Sequence, residues 1–251
     1  MARFKVGVSL HPQQATIEEY RAAWRRVDSL GVDSLWVWDH FYPLYGDPGG
    51  AHYECWSLLA AMAVDTSVPT IGSLVACNSY RNPDLLAHIA QTVSQLSGGR
   101  LVLGIGSGWS ERDYTEYGYE FGTVGSRLAE LGRSLPRIKA RLAKLNPPAP
   151  DLPILIGGGG EKVTLRLVAE HADMWNTFGP AESYRHKREV LEQWCERVGR
   201  DPGRIERTAS IRPPQIGDFE GFLAAGAQHL IVPLGKPFDL APVERLLQAA
   251  R

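Results

Sequence analysis

The sequence predicts a closed (β/α)8 barrel of the TIM type, and three observations lead to that prediction. Short apolar or β-branched runs alternate with longer segments of helical period along the whole chain, which is the signature of repeated βα units around a parallel sheet. The runs number eight, and this barrel has eight strands. No break in composition divides the 251 residues, so we expect residues 1–251 to form a single domain.

The strand candidates are short runs rich in apolar and β-branched residues. They cover residues 4–10, 34–39, 70–76, 100–106, 153–158, 173–178, 205–211 and 229–234. The segments between them carry helix signals. Apolar residues recur at helical spacing over residues 17–30, Thr16 and Glu19 predict a capping box, and Gly31 stands where a C-cap belongs. Strand and helix then repeat.

Two segments need separate interpretation. The proline-rich stretch 145–153 runs straight into the fifth strand candidate, so we interpret it as a connection and not as a linker between domains. Residues 213–228 leave room for only about two turns of helix. We therefore expect the seventh βα unit to cover its side of the barrel poorly.

Composition narrows the class of protein. A net charge of −1 gives no basic face for nucleic acid. The three cysteines are far apart and lack C-x-x-C spacing, so neither disulfides nor a zinc site is expected, and a reducing cytoplasm fits best. We find no signal peptide and no apolar run of about 18 residues that could span a membrane. The expected partner is a small molecule.

Asp39 and His40 follow the second strand candidate directly. In a TIM barrel, binding and catalytic residues lie at the carboxyl ends of the strands, so both are candidates for the catalytic site. His40 can act as a general acid or base, and Asp39 can hold or orient a ligand. Adjacent residues on a strand point to opposite faces, so we expect each to have its own partner. The alternative is a loop-end histidine and a helix-capping aspartate without catalytic roles.

Two glycine-rich segments follow other strand candidates. The segment "GGGGEK", Gly157 to Lys162, suggests a phosphate site, because free backbone N–H groups at the start of a helix bind anions. It lacks the spacing of a Walker loop or a dinucleotide motif, and the alternative is a tight turn that only needs positive φ. In "GIGSGW", Gly106 and Ser107 would let a flat ligand approach the backbone, and Trp109 would form an aromatic wall. The alternative places Trp109 in the core.

Four motifs taken together resemble a known family. They are "LWVWDHF", "IGSLVACNSYRNPDLLA", "LSGGRLVLGIGSGW" and "PILIGGGGEKVTLRLVAEHADMWN". In this order and spacing they are similar to the bacterial luciferase-like superfamily, specifically its actinobacterial coenzyme F420-dependent oxidoreductase branch. The similarity extends to about residue 200. It implies a TIM barrel that binds a flavin or a 5-deazaflavin at the strand carboxyl ends and uses it for hydride transfer.

The resemblance also implies roles for individual residues. The cofactor ring would lie against a non-prolyl cis peptide at Ser73 and Leu74, with Asp39 and His40 at the ring and near the substrate. The turn Gly157, Gly158, Gly159 and Gly160 would hold the cofactor's phosphate side chain. Homodimers are usual in this superfamily.

Two departures from the superfamily affect the substrate. Trp109 stands where sugar-phosphate dehydrogenases of this superfamily have a catalytic glutamate. The connection before the fifth strand is also much shorter than the insertion of longer relatives, which should leave the pocket more open or reshape its substrate wall.

These observations favour an oxidoreductase that moves a hydride between F420 and a small organic substrate, without a metal. An FMN-dependent monooxygenase of the same superfamily is the nearest alternative. A cofactor-binding protein without turnover and a barrel that binds phosphosugars through "GGGGEK" are further alternatives.

Overall fold

The computed structural model describes residues 2–251 and contains nine parallel strands in one sheet. The strands are β1 (Lys5–Leu10), β2 (Ser34–Val37), β3 (Thr70–Ser73), β4 (Ala76–Cys77), β5 (Leu101–Gly106), β6 (Ile154–Gly157), β7 (Met174–Thr177), β8 (Glu206–Ser210) and β9 (His229–Leu234). All eight strand candidates are present, and the third is divided into β3 and β4. The sheet runs β3-β2-β1-β9-β8-β7-β6-β5-β4 and is closed by pairing of β3 with β5. The (β/α)8 barrel is confirmed.

Helices surround this barrel. They are α1 (Ile17–Leu30), α2 (Cys55–Asp65), α3 (Pro83–Leu96), α4 (Glu111–Glu116), α5 (Val124–Lys144), α6 (Thr164–His171), α7 (Ala181–Val198), α8 (Phe219–Ala224) and α9 (Ala241–Ala250). Helix α1 has the predicted capping box between Thr16 and Glu19 and ends at Gly31, whose φ is 73°. Helix α8 has only six residues, so the thin seventh unit is confirmed. No helix within residues 2–251 combines the length and the apolar character that crossing a bilayer requires.

Buried side chains fill both layers of the fold. A large apolar cluster joins the outward faces of the strands to the helices. A second, small cluster fills the inside of the barrel and consists of Trp36, Val102, Leu155, Met174 and Ile231. Leu74 and Val75 pack on this inner cluster and are only partly buried. They therefore form the apolar floor of the barrel mouth, which is the end of the barrel where the carboxyl ends of the strands lie.

The break in the third strand lies one residue later than the resemblance implies. The cis peptide bond joins Leu74 and Val75, whereas Ser73 and Leu74 were expected. Ser73 lies opposite Val37 in the ladder, and the Leu74 amide donates to the Val37 carbonyl at 2.8 Å. Regular pairing with β2 therefore continues through Leu74, and the chain departs from it only afterwards.

Polar side chains bridge three strands at the opposite end of the barrel. His229 contacts Glu206 through Nδ1 at 2.8 Å and Ser34 Oγ through Nε2 at 2.8 Å, and the Trp36 indole donates to Ser34 Oγ at 2.6 Å. Burial alone would raise the pKa of Glu206, but hydrogen bonds from His229 and Lys5 lower it to about 2. This chain of hydrogen bonds satisfies the polar groups buried below the inner cluster.

Candidate functional site

His40 forms a buried pair with Asp113, which lies in α4. His40 Nδ1 is 2.6 Å from Asp113 Oδ2, and the side chains are 12% and 1% exposed. The Phe41 amide donates to Asp113 Oδ1 at 3.1 Å, and the Tyr80 hydroxyl donates to Oδ2 at 3.2 Å. Burial raises the pKa of Asp113, but the hydrogen bond and charge of His40 and the Phe41 amide outweigh it, so that the pKa is lowered overall. Asp113 is therefore an ionised acceptor for His40.

The carboxylate fixes which nitrogen of His40 carries the proton. An ionised carboxylate only accepts hydrogen bonds, so Nδ1 must be the donor in the pair. Nε2 has no hydrogen-bond partner among the described residues. His40 can therefore take a proton from a ligand, or return one, at Nε2.

Asp39 has a different partner, as expected for neighbouring residues that point apart. Arg81 binds both of its carboxylate oxygens, at 2.6 and 3.0 Å, and the Cys77 amide donates to Oδ2 at 3.0 Å. Arg81 also contacts Glu54 at 2.6 Å. Burial alone would lower the pKa of Arg81, but Asp39 raises it overall. Asp39 is 1% exposed, so its carboxylate ties the end of β2 to the segment after β4.

Aromatic rings surround His40. Its imidazole meets Trp109 and Trp38 edge to face, with ring centroids 5.3 and 6.0 Å apart. Trp38 stacks on His11 at 4.2 Å and lies 6.1 Å from Tyr45. Trp109 is 65% exposed, so the alternative that placed it in the core is wrong.

Two further histidines, His11 and His52, lie against the Trp38 ring and are neutral at neutral pH. Burial lowers the pKa of His11 to about 4 and, as the largest of several causes, lowers that of His52 to about 4. The Trp38 indole donates to His52 Nε2 at 3.2 Å, which requires that nitrogen to be unprotonated. Neither histidine therefore adds positive charge to the wall.

Val75 occupies the space beside two of the predicted glycines. A Cβ at Gly106 would lie 2.8 Å from a Val75 methyl group, and one at Gly157 would lie 2.9 Å from the other. These glycines thus make room for the apolar floor. Their contact with a cofactor stays a prediction.

The glycine-rich segment does not open the next helix directly, which corrects the sequence interpretation. Residues 161–163 form a turn, and α6 begins only at Thr164. Gly158 has φ 124° and uses its amide on the Asn176 carbonyl at 2.9 Å. The amides of Gly159 and Gly160 have no partner among the described residues. A loop with two free amides replaces the expected helix terminus.

Charged and hydroxyl groups lie beside this loop. A Cβ at Gly159 would lie 3.1 Å from Thr177 Oγ1 and 3.7 Å from two carbons of Lys187. The Lys187 ammonium pairs with Glu161, which also contacts His186 at 3.1 Å. Hydrogen bonding to Lys187 lowers the pKa of Glu161. The loop therefore offers amides and a lysine to an anion, with one carboxylate that competes for the lysine.

Ser73 and Ser107, two of the predicted cofactor contacts, both take part in hydrogen bonds within the protein, and their contact with a cofactor stays a prediction. Ser73 is fully buried and its hydroxyl donates to the Gly104 carbonyl at 2.7 Å, so the structure gives it a role between strands. Ser107 is half-buried, and its carbonyl accepts from the Tyr114 hydroxyl at 3.2 Å. Ser73 is the last residue of β3, and Ser107 directly follows β5.

Sequence reasoning missed Asp113 and Arg81. Asp113 lies 73 positions after His40, and Arg81 lies 42 positions after Asp39. The only available signal was their place in loops that follow barrel strands, which many other polar residues share. Within the described residues, no group of three or more His, Cys, Asp or Glu side chains is placed to hold a metal ion.

The fold and the placement of these residues define the class of protein: a TIM barrel with its candidate site at the strand carboxyl ends. Residues 1–218 match the family described as luciferase-like monooxygenase, and the chain belongs to that family.

Individual proteins are also similar to this chain. It is 36% identical over 117 residues to an F420-dependent glucose-6-phosphate dehydrogenase of Amycolatopsis mediterranei. The matched segment covers 45% of this chain and 34% of that protein. The match thus spans about a third of that relative's length.

Two solved structures share the fold across nearly all of both chains. An F420-dependent secondary alcohol dehydrogenase in complex with an F420-acetone adduct has a TM-score of 0.87 at 17% identity and covers 99% of each chain. The oxygenating constituent of 3,6-diketocamphane monooxygenase from Pseudomonas putida, in complex with FMN, has a TM-score of 0.73 at 15% identity and covers 99% of this chain and 96% of that one.

Proposed function

We propose that the protein is an F420-dependent oxidoreductase that moves a hydride between the deazaflavin and a small organic substrate. The observation that carries the proposal is the His40–Asp113 pair at the end of the barrel where Leu74 and Val75 form the apolar floor. The similarity to the F420-dependent Amycolatopsis mediterranei enzyme and to the F420-dependent secondary alcohol dehydrogenase supports the cofactor assignment.

The residues present fit such a cofactor. A flat ring needs an apolar surface, which Leu74 and Val75 would provide. A phosphate needs amides and a cation, which Gly159, Gly160 and Lys187 would provide. Any side chain at Gly159 would narrow this cradle against Thr177. A bound phosphate would also draw Lys187 away from Glu161.

Bound F420 would supply the hydride acceptor or donor, and the protein would supply placement and one proton. His40 would accept the substrate proton at Nε2 in the direction of oxidation and return it in the direction of reduction. Asp113 would hold the imidazole in the Nδ1–H form. Asp39 would act through Arg81 as a positioning residue, because both of its oxygens are already bound.

The same proposal includes a cytoplasmic location and a homodimer. All three cysteines are buried and free, which agrees with a reducing compartment. Sedimentation of the purified protein tests the homodimer, and a monomer at micromolar concentration would contradict it.

An FMN-dependent monooxygenase is the second candidate, and the structural likeness to the FMN-bound Pseudomonas putida protein favours it. Both cofactors have a tricyclic ring and a phosphate, so the floor and the glycine loop would accept either. Equilibrium titration with F420 and with FMN separates the two. We expect saturable binding of F420 and weaker binding of FMN; tight FMN binding without F420 binding would overturn the proposal.

Turnover separates an enzyme from a cofactor-binding protein. We expect His40→Gln to bind F420 as the natural protein does and to lose most F420-dependent turnover, because the amide cannot carry the proton. Unchanged turnover in His40→Gln would contradict the proton-transfer role. Binding of F420 without turnover of any alcohol or carbonyl compound would favour the non-catalytic protein.

A further inference from the structure

We propose that Trp38, Tyr45 and Trp109 enclose a substrate compartment beside His40 for an uncharged aromatic or alicyclic alcohol, or for the corresponding carbonyl compound. The inference rests on the proposed function, and it names the substrate class of the same site. Ring geometry, exposure and charge carry it.

Two of the rings, Trp38 and Trp109, contact His40 edge to face and form the two walls of the compartment. Trp109 lies on one side, with its centroid 5.3 Å from the imidazole and an interplanar angle of 68°. Trp38 lies on another side at 6.0 Å and 85°, backed by His11 and Tyr45. A flat or ring-shaped molecule that reaches His40 Nε2 would therefore contact indole or phenol surface.

Two of these rings are left uncovered by the protein itself. Trp109 is 65% exposed and Tyr45 is 58% exposed. Large aromatic side chains that remain exposed beside a site histidine are typical of a binding surface. Covering them with an apolar ligand would remove hydrocarbon area from water, at about 25 cal/mol per Å². A sugar would gain less from this surface, because its hydroxyl groups would lose water against the ring faces, where only the Trp109 indole N–H and the Tyr45 hydroxyl could replace some of the lost hydrogen bonds.

Charge at the walls disfavours an anionic substrate. Asp113 is ionised and paired with His40, and Arg81 is held by two carboxylates. Burial keeps His11 neutral by lowering its pKa to about 4. Glu111, two residues after Trp109, adds an exposed carboxylate. None of these groups offers a free positive charge to phosphate, so a sugar phosphate lacks the partner it needs here.

The reaction balances with the groups named. In oxidation, the C–H bond of the alcohol would break, and its electron pair would leave as hydride, for which bound F420 would be the acceptor. The O–H proton passes to His40 Nε2, and the remaining electron pair forms the carbonyl. Reduction reverses each transfer.

Saturation-transfer NMR on the full chain loaded with F420 tests the substrate class directly. The probes are benzyl alcohol and glucose 6-phosphate, with F420 reduction measured in parallel. We expect benzyl alcohol to bind and to support turnover, and glucose 6-phosphate to do neither. Binding of glucose 6-phosphate at equal or lower concentration would overturn the inference while leaving the F420 proposal intact. Failure of F420 to bind would instead contradict the proposed function. Binding of benzyl alcohol to the protein without F420 would then still test whether the compartment exists.

Variants locate the site. Trp109→Ala removes one wall and should lower the affinity for benzyl alcohol about tenfold, because one aromatic contact and its buried area are lost. Trp109→Phe should recover most of that affinity. F420 affinity should change less than about twofold. Val198→Ala is the matched control, because Val198 is the exposed last residue of α7, at the opposite end of the barrel. Loss of F420 binding without loss of benzyl alcohol in Trp109→Ala would assign that ring to the cofactor and refute the compartment.

Discussion

Replacing Asp113 by Asn tests the role of the His40 pair, because it changes one charge and almost no volume. The natural carboxylate accepts from His40 Nδ1, the Phe41 amide and the Tyr80 hydroxyl. In Asp113→Asn, the amide oxygen can still accept from Phe41, so the NH2 group faces His40. The imidazole must then accept at Nδ1 and carry its proton on Nε2.

The size of the effect follows from the hydrogen bond that is lost. A hydrogen bond to a charged group contributes about 1.5–3 kcal/mol, and each ~1.4 kcal/mol is a factor of ten in rate. The 2.6 Å contact to a carboxylate that is 1% exposed belongs at the upper end of that range. We therefore expect kcat/KM for F420-dependent turnover to fall about 50- to 150-fold.

Two measurements check the reasoning. Steady-state kinetics gives the loss of kcat/KM, and two-bond 1H–15N correlation spectra of labelled His40 show which nitrogen carries the proton. We expect Nδ1–H in the natural protein and Nε2–H in Asp113→Asn. Tyr80→Phe is the control: it removes only the 3.2 Å hydroxyl contact, so the tautomer should stay and the rate should change by about threefold or less.

One result would refute the argument outright: a natural protein in which His40 carries its proton on Nε2. If Asp113→Asn switched the tautomer of His40 but left the rate unchanged, the hydrogen-bond geometry would be supported and its role in catalysis would be refuted.

Three further predictions concern buried ionisable groups. Glu206→Gln should lower the free energy of unfolding by about 3 kcal/mol at pH 7, as measured by urea titration. The pKa of Glu206 is about 2 in the folded protein and 4.5 ordinarily. The difference between the two proteins is therefore fully present above pH 4.5 and should shrink as the pH falls toward 2. Arg81→Met should destabilise the fold by about 3–5 kcal/mol, because Asp39 is left buried without its partner, and thermal unfolding measures it. The imidazole of His52 should show no titration by NMR between pH 5.5 and 8, because its pKa is about 4; its contribution to stability is present above pH 6.5 and is lost as pH falls toward 4.

The Arg81 prediction has a control, and each of the three has a contradicting outcome. The double variant Arg81→Met/Asp39→Leu should recover most of the loss, since an apolar pair is tolerated where half an ion pair is not; no recovery would assign the loss to packing. A Glu206→Gln difference that stays constant from pH 7 to pH 3 would show that the carboxylate does not carry the effect. A His52 midpoint near 6.5 would mean that its ring is hydrated.

Local sequence signals predicted the barrel well because they depend on neighbours in the chain. The capping box at Thr16 and the αL cap at Gly31 need residues only a few positions apart, and the strand runs follow from burial on both faces. The break after Leu74 also has a local cause, yet its position depends on how far β3 stays paired with β2. That pairing is a tertiary contact, which the local sequence does not specify, and the observed break lies one residue later than predicted.

The candidate site was less predictable because its partners come from other loops. His40 was identifiable as a residue after a strand, but Asp113 reaches it from α4, 73 positions away. The glycines at 106 and 157 suggested ligand contact, which stays a prediction; the structure shows in addition that they leave room for Val75. The roles assigned to Gly158, Gly159 and Gly160 stay predictions until a ligand is bound.

The hydrogen-bonded chain below the inner cluster has a kinetic consequence. Ser34 and His229 are 195 positions apart, and their side chains meet across β1 at Gly7, where a Cβ would lie 2.2 Å from Ser34 Oγ. Buried polar groups on β2 and β9 thus find their partners only when the first and last strands of the barrel have met. Contacts between such distant residues form slowly because the loop between them must close first. We therefore expect the base of the barrel to be completed late in folding, and Gly7→Ala to slow that step by obstructing the passage through which the two side chains touch.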